Sequence, residues 1–209
     1  MTATKGEAAL EQLIEGNQRY LIKTSSHPHR SAERRRAVSA GQRPWAVIIG
    51  CSDSRVPPEL IFDCGLGDLF VIRLAGNILD EAVLGSVEYA VEHLAVKLVM
   101  VLGHSRCGAV TAAVEAGGAA VKAVAVKANA SAESVDHISV IIKALQPAAA
   151  EAATQAGDLI EQTARCHVRR TVVQLTGAKP SLEKLVRTGE VKIVGAYYDL
   201  DSGLVEIIR

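Results

Sequence analysis

Three short, almost unbroken apolar runs constrain this chain most: AVIIG at residues 46–50, LFVIR at 69–73 and KLVMVLG at 97–103. Each run has strand length, and helical periodicity follows it. Strands that are apolar on both faces and alternate with helices specify a parallel sheet covered on both sides.

The rest of the chain extends this pattern. Leu10, Leu13, Ile14 and Leu21 recur at helical spacing and predict an amphipathic helix over 6–22. Residues 24–44 are polar, contain two prolines and carry Arg34-Arg35-Arg36, which reads as an exposed loop or short helix with the arginines on a solvated face. A short helix is expected near 58–63, a turn at Gly76-Asn77 and a helix at 78–94. Another helix follows HSRCGA, and further helices are expected at 134–146, 149–176 and 181–188. The Ala/Gly/Val-rich stretch 116–133 favours neither class. VKIVGAYYDLDSGLVEII reads as strand, Asp201-Ser202-Gly203 turn, strand. The expected architecture is one α/β domain over 1–209 with a mainly parallel central sheet. That sheet has about four parallel strands plus a C-terminal antiparallel strand, and helices flank it.

Composition narrows the function classes. The 209 residues, 49% apolar and 22% charged, can fill one sizeable core. The formal net charge of zero argues against nucleic acid or an anionic membrane as the main partner. No apolar run approaches the roughly 18–20 residues of a bilayer span, and the first residues lack the pattern of a signal peptide. A cytoplasmic protein with reduced thiols is expected. Four cysteines in a chain of this length make no disulfide framework and are read individually.

Two polar clusters follow the apolar runs. GCSDSRVPPE places Cys51, Asp53 and Arg55 after the first, and GHSRCGAV places His104 and Cys107 after the third. Charges and thiols next to buried strands are costly unless something uses them. Carboxyl ends of parallel strands are where open α/β sheets place ligands. If these two strands are neighbours, Cys51, His104 and Cys107 converge. Two thiolates and one imidazole suit tetrahedral zinc and leave a fourth position open. Cys64 and Cys166 lack such a setting and read as packing residues. His27, His29, His93, His137 and His167 read as surface or satisfied core residues.

Competing chemistries need other spacings. A phosphatase loop requires five residues between Cys and Arg, whereas three separate Cys51 from Arg55. Neither Cys-x-x-Cys, Gly-x-Ser-x-Gly nor a Walker-type loop is present.

CSDSRVPPE followed by GHSRCGAV resembles the β-class carbonic anhydrases, whose pattern is Cys-x-Asp-x-Arg and then His-x-x-Cys. GDLFVIRLAGN and GSVEYAVEHL are similar to the strand and helix between the two motifs, so the resemblance runs over 41–115. It implies one Zn²⁺ per chain on Cys51, His104 and Cys107, with Asp53 and Arg55 paired beside it. It implies pocket residues at Gln42, Phe70 and Tyr89, supplied across a dimer interface, and a backbone amide at Gly108. Val56, Phe70 and Tyr89 are candidates for the apolar walls of a carbon dioxide pocket. A homodimer or dimer of dimers is implied, with a helical arm at 1–40 lying on the partner.

The activity implied is reversible hydration of carbon dioxide to bicarbonate and a proton by zinc-bound hydroxide. Related readings are hydrolysis of carbon disulfide or carbonyl sulfide, and a non-catalytic zinc-stabilised protein. In one subgroup of the family, the residue matching Asp53 swings onto zinc and closes the site. That subgroup carries Trp three residues before the first zinc cysteine, where this sequence has Ile48; Arg73 matches another residue of its accessory bicarbonate site. The expectation here is an open site with Asp53 paired to Arg55, and Asp53 on the metal only in a closed state.

Overall fold

The computed structural model describes residues 4–123 and 137–208. Much of the Ala-rich stretch 116–133 lies outside the described residues. The elements are α1 (Lys5–Leu21), α2 (Ala32–Ala37), β1 (Ala46–Cys51), α3 (Pro58–Ile61), β2 (Leu69–Leu74), a 3-10 turn (Ala75–Asn77), α4 (Glu81–Glu92), β3 (Leu98–His104), α5 (Gly108–Ala123), α6 (Ile138–Ala152), α7 (Leu159–Gly177), α8 (Pro180–Arg187), β4 (Lys192–Tyr198) and β5 (Val205–Ile208).

The sheet runs β2-β1-β3-β4-β5. The first four strands are parallel and β5 is antiparallel, as expected from the sequence. Every residue of β1 and β3 is buried, which is why their sequences are continuously apolar. Alternate side chains serve two layers. Ile48, Leu98, Met100 and Leu102 pack with Leu13 of α1 and with Phe62. Val47, Ile49, Val99 and Val101 pack with Val87 of α4 and with Val168 and Leu175 of α7.

Small residues let the helices approach. A Cβ at Gly16 would overlap the carbonyl oxygen of Phe62, so α1 needs glycine there. A Cβ at Gly103 or Gly195 would come within 2.7 Å of a Val168 methyl. Thr4 and Glu7 start α1 with a reciprocal capping box, at 2.8 and 3.2 Å. Asn17 is buried and ties α1 to two distant segments. Its amide donates to Ile61 O at 3.2 Å and Gly203 O at 2.9 Å, and its oxygen accepts from Val205 N at 2.9 Å.

Two sequence expectations are corrected. The break expected near Pro147 is absent: Pro147 sits inside α6. Leu145, Ala148 and Ala152 form a buried face across it, and that burial outweighs one lost backbone hydrogen bond. The break lies instead before Asp158, which caps α7 at Glu161 N, and Gly157 turns the chain with φ 112°. Nor are the arginines of α2 all solvated. Arg34 reaches back to Leu66 O at 2.9 Å and Asp68 Oδ1 at 3.3 Å. Among the described residues, no helix is long and apolar enough to cross a membrane.

Candidate metal centre

Because β1 and β3 are neighbours, their carboxyl ends converge. Cys51 ends β1, His104 ends β3, and Cys107 directly precedes α5. The three are buried and their ligand atoms all lie within 4.8 Å of one another. The two sulfurs are 4.0 Å apart. Sulfurs on a tetrahedral zinc at about 2.3 Å each would lie about 3.8 Å apart. The donor set and its spacing therefore fit zinc.

The histidine supplies a second test. Nδ1 of His104 donates to the Ser105 carbonyl at 2.9 Å, which leaves the lone pair on Nε2. Nε2 is buried and has no hydrogen-bond partner among the described residues. An orphaned buried nitrogen is destabilising by itself, and a metal ion would satisfy it. The Ser105 carbonyl is the outer partner that a ligating histidine needs.

Local structure prepares the thiols. Cys51 Sγ accepts from Asp53 N at 3.4 Å and from Gly76 N at 3.3 Å. A hydrogen bond from the Cys107 thiol is the main cause that lowers the Cys51 pKa, against the opposing effect of burial, and the two backbone donors add to it. The same hydrogen bond, together with burial, pushes Cys107 up.

Asp53 and Arg55 lie at the rim. Arg55 donates Nε to Asp53 Oδ1 at 3.0 Å and Nη2 to Asp53 Oδ2 at 2.7 Å, and its backbone N donates to Oδ1 at 2.9 Å. This grip, led by the side-chain hydrogen bonds, lowers the Asp53 pKa to about 2. Oδ2 of Asp53 lies 3.9 Å from His104 Nε2. Arg55 is steadied in turn by the Arg106 carbonyl at 3.1 Å. Arg106 has a left-handed φ of 52° and makes a two-pronged pair with Asp201 in the β4–β5 turn, at 2.7 and 2.8 Å.

The other sequence candidates divide into two groups. Val56 is buried, and its N–H donates to the Asp53 carbonyl at 3.1 Å. Gly108 begins α5 directly after Cys107. Phe70 stands well away from the cluster along its strand, and Tyr89 and Gln42 are exposed. Phe70 pairs in register with Val47, four residues before Cys51, or about 13 Å along the strand. Tyr89 lies on α4, 48% exposed, with its ring 6.3 Å from that of Phe70. Gln42 is exposed in the segment before β1.

Sequence reasoning passed over several supporting contacts. The Gly76 N–H, the Ser105 carbonyl and the Arg106 carbonyl act through the backbone, which residue identity does not report. Arg73, read from the sequence only as a match to an accessory bicarbonate site, left a further signal, because a guanidinium interrupts an otherwise apolar run. Cys64 and Cys166 are buried outside the cluster, and burial pushes the Cys64 thiol up to about 12. His167 is buried with Nε2 3.3 Å from Asn77 O, and His29 pairs with Asp68 at 2.8 Å.

A mainly parallel α/β sheet with a buried Cys₂His cluster at its strand ends fits the class of α/β proteins with a metal-binding site, rather than a disulfide or phosphate-binding protein. Comparison with known proteins gives the family. The carbonic anhydrase family profile matches residues 46–205. Carbonic anhydrase 2 of Mycobacterium tuberculosis is 38% identical over 203 residues, covering 97% of this chain and 93% of that protein. The structure of the β-carbonic anhydrase CcaA aligns with a TM-score of 0.68 at 25% identity, covering 95% of this chain and 94% of that one. A tetrameric β-carbonic anhydrase of Sordaria macrospora shares the fold with the same TM-score, 0.68, at 24% identity over 97% of this chain and 98% of that one. The chain belongs to the β-carbonic anhydrase family and is an enzyme.

Proposed function

We propose that this enzyme reversibly hydrates carbon dioxide to bicarbonate and a proton, with one zinc ion per chain held by Cys51, His104 and Cys107. The observation that carries the reading is the orphaned Nε2 of His104 within 4.8 Å of two cysteine sulfurs, beside an ionised Asp53. A zinc ion bound there would supply a water acidified toward neutral pH as the nucleophile.

The chain's own residues complete the chemistry. Asp53 stays ionised because Arg55 donates to both of its oxygens. Oδ1 accepts two of those bonds and Oδ2 one, so Oδ2 keeps a lone pair free. Through that lone pair Asp53 holds the water's proton and turns the water's own lone pair toward the carbon of carbon dioxide. Val56 and the Gly108 amide line the side where the substrate sits. Gln42, Phe70 and Tyr89 serve the pocket from a second copy, which is consistent with the distance of Phe70 from the cluster in its own chain and with the exposure of Gln42 and Tyr89. The outward face of α1, with Leu10 and Ile14 among Glu7, Glu11 and Glu15, is offered to that copy as part of the 1–40 arm. A homodimer or dimer of dimers follows. The four cysteines are all free, which suits the cytoplasm.

Stopped-flow carbon dioxide hydration tests the reading. The zinc-loaded protein is expected to turn over rapidly, and Asp53→Ala is expected to lose at least about 10²-fold in kcat. A zinc-bound protein without hydration activity would refute the proposal, and turnover of carbon disulfide or carbonyl sulfide instead would reassign the substrate.

A further inference from the structure

Arg73 interrupts the apolar run of β2 and is half-buried, a costly place for a guanidinium. Among the described residues, its donors go to main-chain carbonyls and not to a carboxylate. Nε donates to Cys51 O at 2.7 Å, and Nη2 donates to Asp53 O. One rigid planar group therefore spans the backbone from the first cysteine of the cluster to the carboxylate that faces it.

We infer that Arg73 is a positioning residue for the metal centre. Its fork fixes the Cys51–Ser52 and Asp53–Ser54 peptide planes, which bracket the Ser52–Asp53 peptide, and thereby sets the separation of Cys51 Sγ from the Asp53 carboxylate. The inference rests on the zinc reading proposed above. The local hydrogen bonds explain how the fork acts. With the two carbonyls held, the Asp53 N–H is aimed at Cys51 Sγ, 3.4 Å away. The Asp53 carbonyl also accepts from Val56 N at 3.1 Å, so the turn carrying Arg55 starts from a fixed point. Ser52 N continues the strand pairing with Leu74 O at 3.1 Å, and Arg73 secures the backbone just beyond it. A lysine at 73 would keep the charge but lacks two donors in a fixed plane, so it cannot bridge both carbonyls. The contribution assigned to Arg73 is geometric, and misplacement of a ligand or an orienting group by a fraction of an ångström is what its loss produces.

The test compares wild type, Arg73→Lys and Arg73→Gln as full chains. Zinc affinity is measured by chelator competition, coordination by the visible absorption of the Co²⁺-loaded proteins, and kcat and KM for carbon dioxide by stopped flow. Both variants are expected to bind zinc about 10–100-fold more weakly. The Co²⁺ bands are expected to shift, and kcat to fall by a similar factor with KM within about twofold of wild type. Lysine is expected not to rescue. Wild-type zinc affinity and Co²⁺ bands in Arg73→Gln would overturn the inference. Full rescue by Arg73→Lys would also overturn it, by assigning the role to charge. Failure of both variants to fold would assign Arg73 to stability alone and overturn it too. A wild type that binds zinc without hydrating carbon dioxide would sink the proposed function, while the affinity and Co²⁺ comparisons would still decide the role of Arg73.

Discussion

Arg55 holds Asp53 by both carboxylate oxygens, at 3.0 and 2.7 Å, two residues along the same loop. A forked guanidinium on a carboxylate orients it as well as ionising it. Removing the fork in Arg55→Met is expected to reduce kcat by about 10–100-fold, the usual scale for an outer partner. It also changes the pH profile. Asp53 has a depressed pKa of about 2 in the intact loop, so it is ionised at every working pH. Without Arg55 its pKa rises toward the ordinary value of about 4. The variant's acid limb in kcat/KM is therefore expected at higher pH than in wild type. Superimposable acid limbs would show that Arg55 does not set the Asp53 charge.

Cys107 is buried 4.0 Å from Cys51 and contributes the second sulfur of the cluster. Cys107→Ser replaces a soft thiolate with a hydroxyl that does not ionise at neutral pH. Zinc affinity is expected to fall by more than the 10–100-fold typical of outer partners. Metal removal from the intact protein should also destabilise it, since His104 Nε2 is left buried without a partner. Zinc at about 100 times its Kd adds about 2.7 kcal/mol, or roughly 5–10 °C in Tm. Mass spectrometry of the purified variant checks the first point and calorimetry with and without chelator the second. Full zinc retention in Cys107→Ser would remove Cys107 from the ligand set.

How much of this was legible in the sequence follows from what each feature depends on. The fully buried strands β1 and β3 carry their environment in every residue, so their class and parallel direction could be read directly. The cluster was legible because Cys51, His104 and Cys107 stand at the ends of those strands, and a parallel sheet brings such ends together. Pro147 misled because a local backbone preference was overridden by the buried face of α6, which only packing reveals. Phe70 and Tyr89 could be recognised by resemblance but not placed, because a resemblance does not say how far along its strand or helix a side chain stands from Cys51. The grip of Arg73 on two carbonyls depends on the register of β2 against β1, and the letters alone do not specify that register.

Asn17 predicts a stability effect remote from the chemistry. It is buried, and its side chain satisfies the Ile61 carbonyl, the Gly203 carbonyl and the Val205 N–H. Those groups belong to α3, the β4–β5 turn and β5, so one amide links α1 to all three. Asn17→Ala leaves three backbone groups without that partner. A loss of about 2–3 kcal/mol is expected in urea unfolding. A change below about 0.5 kcal/mol, the scale of neutral surface substitutions, would show that water replaces the amide at little cost.

Asp63 gives the fold a specific acid sensitivity. Its side chain is fully shielded from solvent. Burial alone would raise its pKa. Donors more than compensate: Arg19 Nε at 2.7 Å, then Ser26 N, Ser26 Oγ and His27 N, each at 2.9 Å. The folded-state pKa is therefore below the ordinary carboxylate value. A depressed carboxylate stabilises the fold fully above its unfolded pKa, near 4, and loses that contribution as pH falls below it. Asp63→Asn removes the charge, leaves Arg19 without its buried partner and should cost about 3 kcal/mol at pH 7. The variant should also lose less stability than wild type between about pH 5 and pH 2. Urea unfolding of both proteins across that range isolates Asp63 from other carboxylates, because those titrate in both. The stability gap should narrow with acid; a gap that stays constant would place the acid sensitivity elsewhere and leave Asp63 as a neutral hydrogen-bond acceptor for the 24–30 segment.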